Sequence, residues 1–147
     1  LLAKKIHFDC SLDPEMLVYA DRTHLSLVMQ NLISNAIKFT QQQGKIQVYA
    51  SRQDDMIVIC VADNGVGIAS QRLNDLFQIE TSFSTVGTAN EKGTGLGLIL
   101  CHELVRENGG QIWAESTLSE GSRFYFTLPS SIRALSVLDE DSSLKQN

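Results

Sequence analysis

Apolar positions change period several times along the chain, and each change marks an element. Ile6-His7-Phe8-Asp9-Cys10 alternates apolar and polar, which predicts a half-buried strand within Leu1 to Leu12 with His7 on its solvated side. Asp13-Pro14 is a turn, and Leu17 to Ala20 is expected to form a short strand. Asp21 has the character of an N-cap, opening a helix that runs to about Phe39 with Leu25, Val28, Met29, Leu32 and Ala36 as its apolar stripe. Gln41 to Gly44 is a polar exit in which Gly44 is expected to supply the helix-ending turn. Lys45 to Ser51 alternates again, Gln53-Asp54-Asp55 turns, and Met56 to Ala62 is apolar nearly throughout, as in a central strand buried on both faces. Ser70 to Phe77 reads as a short helix.

Further on, the pattern is helical from Gly95 to about Asn108, with Leu96, Leu100 and Leu104 in step and Cys101 and Val105 beside them. Asn108-Gly109-Gly110 ends it. Gln111 to Leu118 and Arg123 to Leu128 read as strands around a turn at Ser119 to Ser122, placing Trp113, Phe124 and Phe126 in or against the core. Pro129 stops the last strand, and the acidic, Ser-rich end from Leu135 to Asn147 reads as a linker or frayed tail. One domain over residues 1–129 and a tail over 130–147 follow from this pattern.

Composition narrows the picture only a little. At 147 residues, with 43% hydrophobic and 20% charged positions, the chain suits one globular domain. A formal charge of −5 and the lack of any basic run argue against a nucleic-acid surface, so any anion site has to be local. No apolar stretch approaches the ~18 residues of a membrane span, and no signal peptide stands at the start. Cys10, Cys60 and Cys101 sit within apolar patterns and are expected to be buried thiols in a reducing compartment. The chain begins without Met, in mid-pattern, and is expected to be a piece of something longer.

The chemistry concentrates in four places. Asn31, Asn35 and Lys38 project from one flank of the long helix; the plain alternative is a solvated helix face. Asp63-Asn64-Gly65-Val66-Gly67 follows the buried strand, where a carboxylate is costly without a partner and two glycines permit a sharp turn beside a ligand. Residues 78–92 show no period and are rich in Ser and Thr, and a loop of that length is more often functional than idle. Lys92-Gly93-Thr94-Gly95-Leu96-Gly97-Leu98 leaves backbone N–H groups uncovered at the opening of a helix, which favours an anion; glycines there could equally serve packing or a turn.

Taken in order, Asn31-(x)3-Asn35, Asp63-x-Gly65-x-Gly67, Leu76-Phe77, a long loop and Gly93-x-Gly95-x-Gly97 resemble the ATP-binding catalytic domain of sensor histidine kinases over roughly residues 5–129. The resemblance implies an α/β (α+β) two-layer sandwich, a mixed sheet with helices on one face and ATP on the helical side. It implies Mg²⁺ on the Asn35 carboxamide oxygen with Asn31 lining the same site, and Lys38 meeting phosphate. Asp63 would accept from the adenine amino group, Gly65 and Gly67 would let the backbone close on the purine, and Phe39 would pack beside the base. Gly93, Gly95 and Gly97 would hinge the loop and offer N–H groups to the phosphates, with Lys92 adding charge. Ile68, Phe77, Thr94, Leu96 and Leu98 would complete the nucleotide's surroundings. Residues 78–92 would form the ATP lid, although Glu80 stands where the family commonly has a second Phe, with Phe83 as a replacement.

Implied partners are a dimerisation domain carrying the phosphoacceptor histidine, absent from this chain, and a response-regulator receiver domain. The expected location is cytoplasmic, including the cytoplasmic part of a membrane-bound sensor, with no membrane contact by this domain. The expected activity is phosphoryl transfer to that missing histidine, so this piece is expected to bind ATP without autophosphorylating. His102-Glu103 imitates the start of an acceptor box, but it follows the glycine loop directly and lacks the closing Pro, so His102, Glu103 and Arg106 are expected on a solvated face with a Glu–Arg pair. His24 is likewise expected to be exposed. ATP-hydrolysing machines of the gyrase, mismatch-repair and chaperone type share the fold but place Glu where Asn31 stands, and no Glu occurs from Met16 to Ile79. A degenerate nucleotide sensor or scaffold, and a serine-kinase anti-sigma factor, are the remaining alternatives.

Overall fold

The structure, a computed structural model, describes residues 4–78 and 97–131. The elements in chain order are β1 (His7–Ser11), α1 (Arg22–Phe39), β2 (Lys45–Gln53), β3 (Met56–Asp63), α2 (Ser70–Leu73), α3 (Gly97–Glu107), β4 (Ile112–Thr117) and β5 (Gly121–Pro129). They build a five-stranded sheet in the order β1-β2-β3-β5-β4. β1 runs parallel to β2 and every other neighbouring pair is antiparallel, so the sheet is mixed. Two tight hairpins make the antiparallel part, and residues at their turns take the left-handed region, Asp54 at φ 57° and Ser119 at φ 68°.

β3 is the central strand, with Ile57 through Ala62 all buried, as its unbroken apolar run requires. Its Ile57, Ile59 and Val61 join Phe124, Phe126 and Leu128 of β5 and Ile46 and Val48 of β2 on the face that meets the helices. Val28, Leu32 and Ala36 of α1 and Cys101, Leu104 and Val105 of α3 close over them. Asp21 caps α1 as expected, its side chain accepting the His24 N–H at 2.9 Å. Burial pushes the Cys101 thiol up to about 12 and also raises Cys60, so both stay protonated and inert.

Several expectations change. β1 forms, but it is an edge strand exposed at every residue, so Phe8 lies in solvent and Cys10 is an exposed thiol rather than a buried one. Leu17 to Ala20 contributes a single bridge, Val18 with Ser130, not a strand. The helix expected over Ser70 to Phe77 is regular only over Ser70–Leu73. Gly44 sits in the turn after α1, yet the left-handed residue is Gln43, and Thr40 caps the helix in extended conformation. In α3 the buried wedge is Cys101, Leu104 and Val105, while Leu100 is 42% exposed. Trp113 lies on the opposite face of the sheet from Phe124 and Phe126, stacked on Tyr125 at 5.3 Å in a cross-strand row with Cys60 and Tyr49. Among the described residues no helix is long and apolar enough to cross a membrane.

Candidate functional site

The site grows from the flank of α1 beside its buried stripe. Asn31, Asn35 and Lys38 follow one another at helical spacing and are all half-buried. The Asn31 amide nitrogen donates to the Leu27 carbonyl at 2.9 Å, which turns its oxygen away from the helix backbone. That oxygen faces the first residue of α3: a Cβ on Gly97 would stand 2.8 Å from Asn31 Oδ1. The first and the last of the four sequence motifs therefore meet, with nothing but hydrogen on the glycine side. Lys38 holds its ammonium 4.9 Å from the centroid of the Phe39 ring, a cation–π distance.

The end of α1 is fitted to the loop that follows β3. The Phe39 carbonyl accepts the Val66 N–H at 3.2 Å, and a Cβ on Gly65 would come within 2.1 Å of that same oxygen. Gly67 has φ 74° and faces the Thr117 carbonyl, where a Cβ would lie 2.2 Å away. Both glycines are thus required by protein backbone, quite apart from any purine. Val66 O accepts the Ser119 N–H at 2.8 Å, and Asn64 Oδ1 accepts the Lys45 N–H at 2.7 Å. A loop bonded at this many points is a fixed platform. Lys4 adds a cap from outside, its Nζ donating to the Ile37 and Lys38 carbonyls at 2.8 and 3.1 Å.

Asp63 stands at the end of β3 with its carboxyl largely buried. Burial raises its pKa, and backbone N–H groups of Gly65 and Ser122 oppose the rise by holding the charged form. The Gly65 N–H reaches Asp63 Oδ1 at 2.9 Å. In the ladder Asp63 pairs with Ser122 of β5, which pairs with Ser116 of β4. These three form the last row of the helical face, after rows made of Val61, Phe124 and Ala114 and of Ile59, Phe126 and Ile112. The face changes from apolar to polar in one step. Ser116 and Ser122 were not singled out from sequence, although the alternation of β4 and β5 carries the signal once strand register is known.

Leu76, Phe77, Ile68 and Leu98 are half-buried and pack against the core. The Phe77 ring stacks on His102 of α3, with centroids 6.0 Å apart and planes 29° off parallel. His102 is therefore half-covered rather than on a free face, and the contact of Glu103 is with His102 at 3.7 Å in place of the expected pairing with Arg106. His24 is also half-covered: its Nδ1 lies 3.0 Å from the Asn108 amide nitrogen and 3.9 Å from Glu107. Lys92, Gly93, Thr94, Gly95 and Leu96, and residues 79–91 of the expected lid, lie outside the described residues. An open groove of about 540 Å³ runs along the other flank of α1 beside Met29, Ile33 and Ile37, and of the expected site residues it touches only Lys38. Among the described residues no cluster of three or more His, Cys, Asp or Glu could hold a metal ion.

A family model described as histidine kinase-, DNA gyrase B- and HSP90-like ATPase matches residues 20–132. The chain is 45% identical over 114 residues to the phytochrome-like protein Cph1 of Synechocystis sp., covering 76% of this chain and 15% of that protein. It is 39% identical over 113 residues to the adaptive-response sensory kinase SasA of Gloeothece citriformis, covering 76% and 28%. Among solved structures it is similar to the catalytic domain of histidine kinase ThkA, with TM-score 0.71 and 34% identity over 85% of this chain and 79% of that one. Full-length ShkA in complex with AMPPNP gives TM-score 0.70 and 28% identity over 85% of this chain and 26% of that one. The chain thus spans 15% to 28% of the length of these curated relatives.

Proposed function

The chain belongs to the histidine kinase-, DNA gyrase B- and HSP90-like ATPase family, and from that premise we propose that it binds Mg-ATP and presents the γ-phosphoryl group to a histidine on a separate dimerisation domain. Sensor kinases among its relatives support that partner, and a response-regulator receiver domain would take the phosphoryl group onward. The observation that carries the reading is the meeting of Asn31 Oδ1 with Gly97, together with the largely buried Asp63 carboxyl at the end of β3 on the helical face of the same sheet. A hard-oxygen corner and a carboxylate corner then stand on one fixed frame, as the phosphate and base ends of one nucleotide require.

In this reading Asp63 accepts from the adenine amino group, and guanine, which offers a carbonyl there, is refused. Phe39, Ile68, Phe77 and Leu98 shape the cleft around the base and sugar. Asn35 and Asn31 would hold Mg²⁺ by their carboxamide oxygens, and the bound cation would neutralise charge on the phosphates. Lys38 and Lys92 would add positive charge, and Gly97 at the start of α3, with Gly93 and Gly95 before it in sequence, would offer backbone N–H groups to the phosphates. The domain's own work is positioning and charge neutralisation. A hydrolytic role lacks its base, since a carboxamide at Asn31 takes no proton from water.

The test is a calorimetric titration of this chain with a non-hydrolysable ATP analogue, with and without Mg²⁺, and a GTP analogue alongside. Saturable, Mg-sensitive binding that prefers adenine is expected. Binding of neither nucleotide would overturn the proposal and leave a scaffold.

A further inference from the structure

The polar row behind Asp63 holds a chain of hydrogen bonds whose donors and acceptors can be read in order from their partners. Ser116 Oγ has three partners. The Ile68 N–H donates to it at 2.7 Å, so there it accepts. The Gly121 carbonyl lies 2.8 Å away and can only accept, so the single hydroxyl proton of Ser116 points there. The third partner is Ser122 Oγ at 2.8 Å. With its proton committed, Ser116 can only accept from Ser122, and its oxygen is then complete with one donation and two acceptances.

The consequence falls on Ser122. That side chain is only 6% exposed, so water hardly competes for its hydroxyl. Its proton is turned toward Ser116, and its oxygen keeps only lone pairs for anything else. The neighbouring Asp63 carboxylate already takes N–H bonds from Gly65 and Ser122 and also offers only lone pairs outward. Two acceptors side by side, with no proton between them to turn around, suit a group carrying two N–H bonds and repel a carbonyl oxygen.

We infer that Ser116 is a specificity-determining positioning residue: by fixing the proton of Ser122 it makes the base-reading end of the cleft acceptor-only, and so selects a purine with an amino group over one with a carbonyl at the same position. The inference rests on the nucleotide reading above and adds to it the residue that sets the polarity. Ser116 acts through Ser122 and through the Ile68 N–H, and has no need to touch the base.

Titration of the 147-residue chain with ATP and with inosine triphosphate tests it, since the two bases differ at the amino position alone apart from the linked ring proton. The wild type should prefer ATP. Ser116→Ala frees the Ser122 proton to turn toward a carbonyl, and the ATP-to-ITP affinity ratio should fall roughly fivefold, the worth of one ordinary hydrogen bond. Ser116→Thr, which keeps the hydroxyl, should restore the ratio. A purely structural role would weaken both nucleotides equally, and an unchanged ratio in Ser116→Ala overturns the inference. Should that variant not fold, Ser122→Ala decides the matter, because it removes the oriented acceptor and must also shrink the ratio. A wild type that binds no ATP sinks the nucleotide reading itself; ATP preference indifferent to both serines sinks this inference alone.

Discussion

The two ends of α1 each stand near an aspartate, and the two behave oppositely. At the N-terminal end Asp21 accepts the His24 N–H, which lowers its pKa below the ordinary 3.8. Its charge stabilises the fold above that ordinary value, and the contribution is lost as pH falls through the lowered folded value. Near the C-terminal end Asp63 is raised above 3.8, chiefly by burial. Folding there disfavours the ion, so stability declines as pH climbs from 3.8 through the raised value and stays lower above it. One carboxylate serves the fold, and the other is carried at the fold's expense. A carboxylate held at such a cost is the kind of group from which ligand sites are built.

Construction differs in the same way. The N-terminal end is joined to the end of α3 through side chains: Asn108 Oδ1 accepts the Asp21 N–H at 2.8 Å, its amide nitrogen donates to Leu104 O at 2.7 Å and lies 3.0 Å from His24 Nδ1, and His24 approaches Glu107 at 3.9 Å. The C-terminal end meets its loop backbone to backbone, with Gly65 pressed on Phe39 O. Side-chain joints tolerate exchange, whereas a backbone packed as closely as Gly65 on the Phe39 carbonyl leaves no room for a Cβ.

The sharpest way to break the contrast is Gly65→Ala. Its Cβ would stand 2.1 Å from a carbonyl that cannot swing aside, so a loss of about 3 kcal/mol or more is expected in urea unfolding, together with nucleotide affinity. A variant of wild-type stability would show that the loop end is not pinned as described. Asp63→Asn should separate the two properties instead. ATP affinity should fall by ~1.5–3 kcal/mol as a charged hydrogen bond is lost, while the melting temperature at neutral pH rises above that of the wild type. The rise should fade as pH is lowered toward 3.8, where Asp63 itself becomes neutral, and a destabilised Asp63→Asn would reverse the argument. Asn108→Ala, at the other end, should cost about 1–2 kcal/mol of stability and leave ATP affinity where it was. A parallel loss of affinity would mean that the N-terminal joint reaches the site after all.

Most of the frame was readable because period and capping are local. The Asp21 cap, the length of α1, the buried β3 and the turn at Asp54 follow from neighbouring residues. What failed was phase. Ile112-Trp113-Ala114 is apolar on both faces of its strand, so nothing local says that Trp113 turns away from the core. In α3 a line of i, i+4 leucines drifts around the helix, and the tighter wedge of Cys101, Leu104 and Val105 takes the interior, leaving Leu100 outside. The candidate site residues stood out as types in an order, since carboxamide, carboxylate and glycine each answer to a chemical need. The serine row was not, because Asp63, Ser122 and Ser116 meet only through the pairing of β3, β5 and β4, and register is a property of three distant segments together. What Gly65 and Gly67 press against was hidden for the same reason.

Val66 bonds in both directions, through its N–H to the end of α1 and through its carbonyl to the β4–β5 turn. One residue thus closes two long loops at once, and closure entropy is met before either contact returns anything. The corner at Gly65-Val66-Gly67 is for that reason expected to be completed only when helix and hairpin are both in place. The same topology denies it a private way of opening: its amide hydrogens should exchange with solvent at the pace of the sheet's interior, so that losing the shape of this corner and losing the whole fold are a single event.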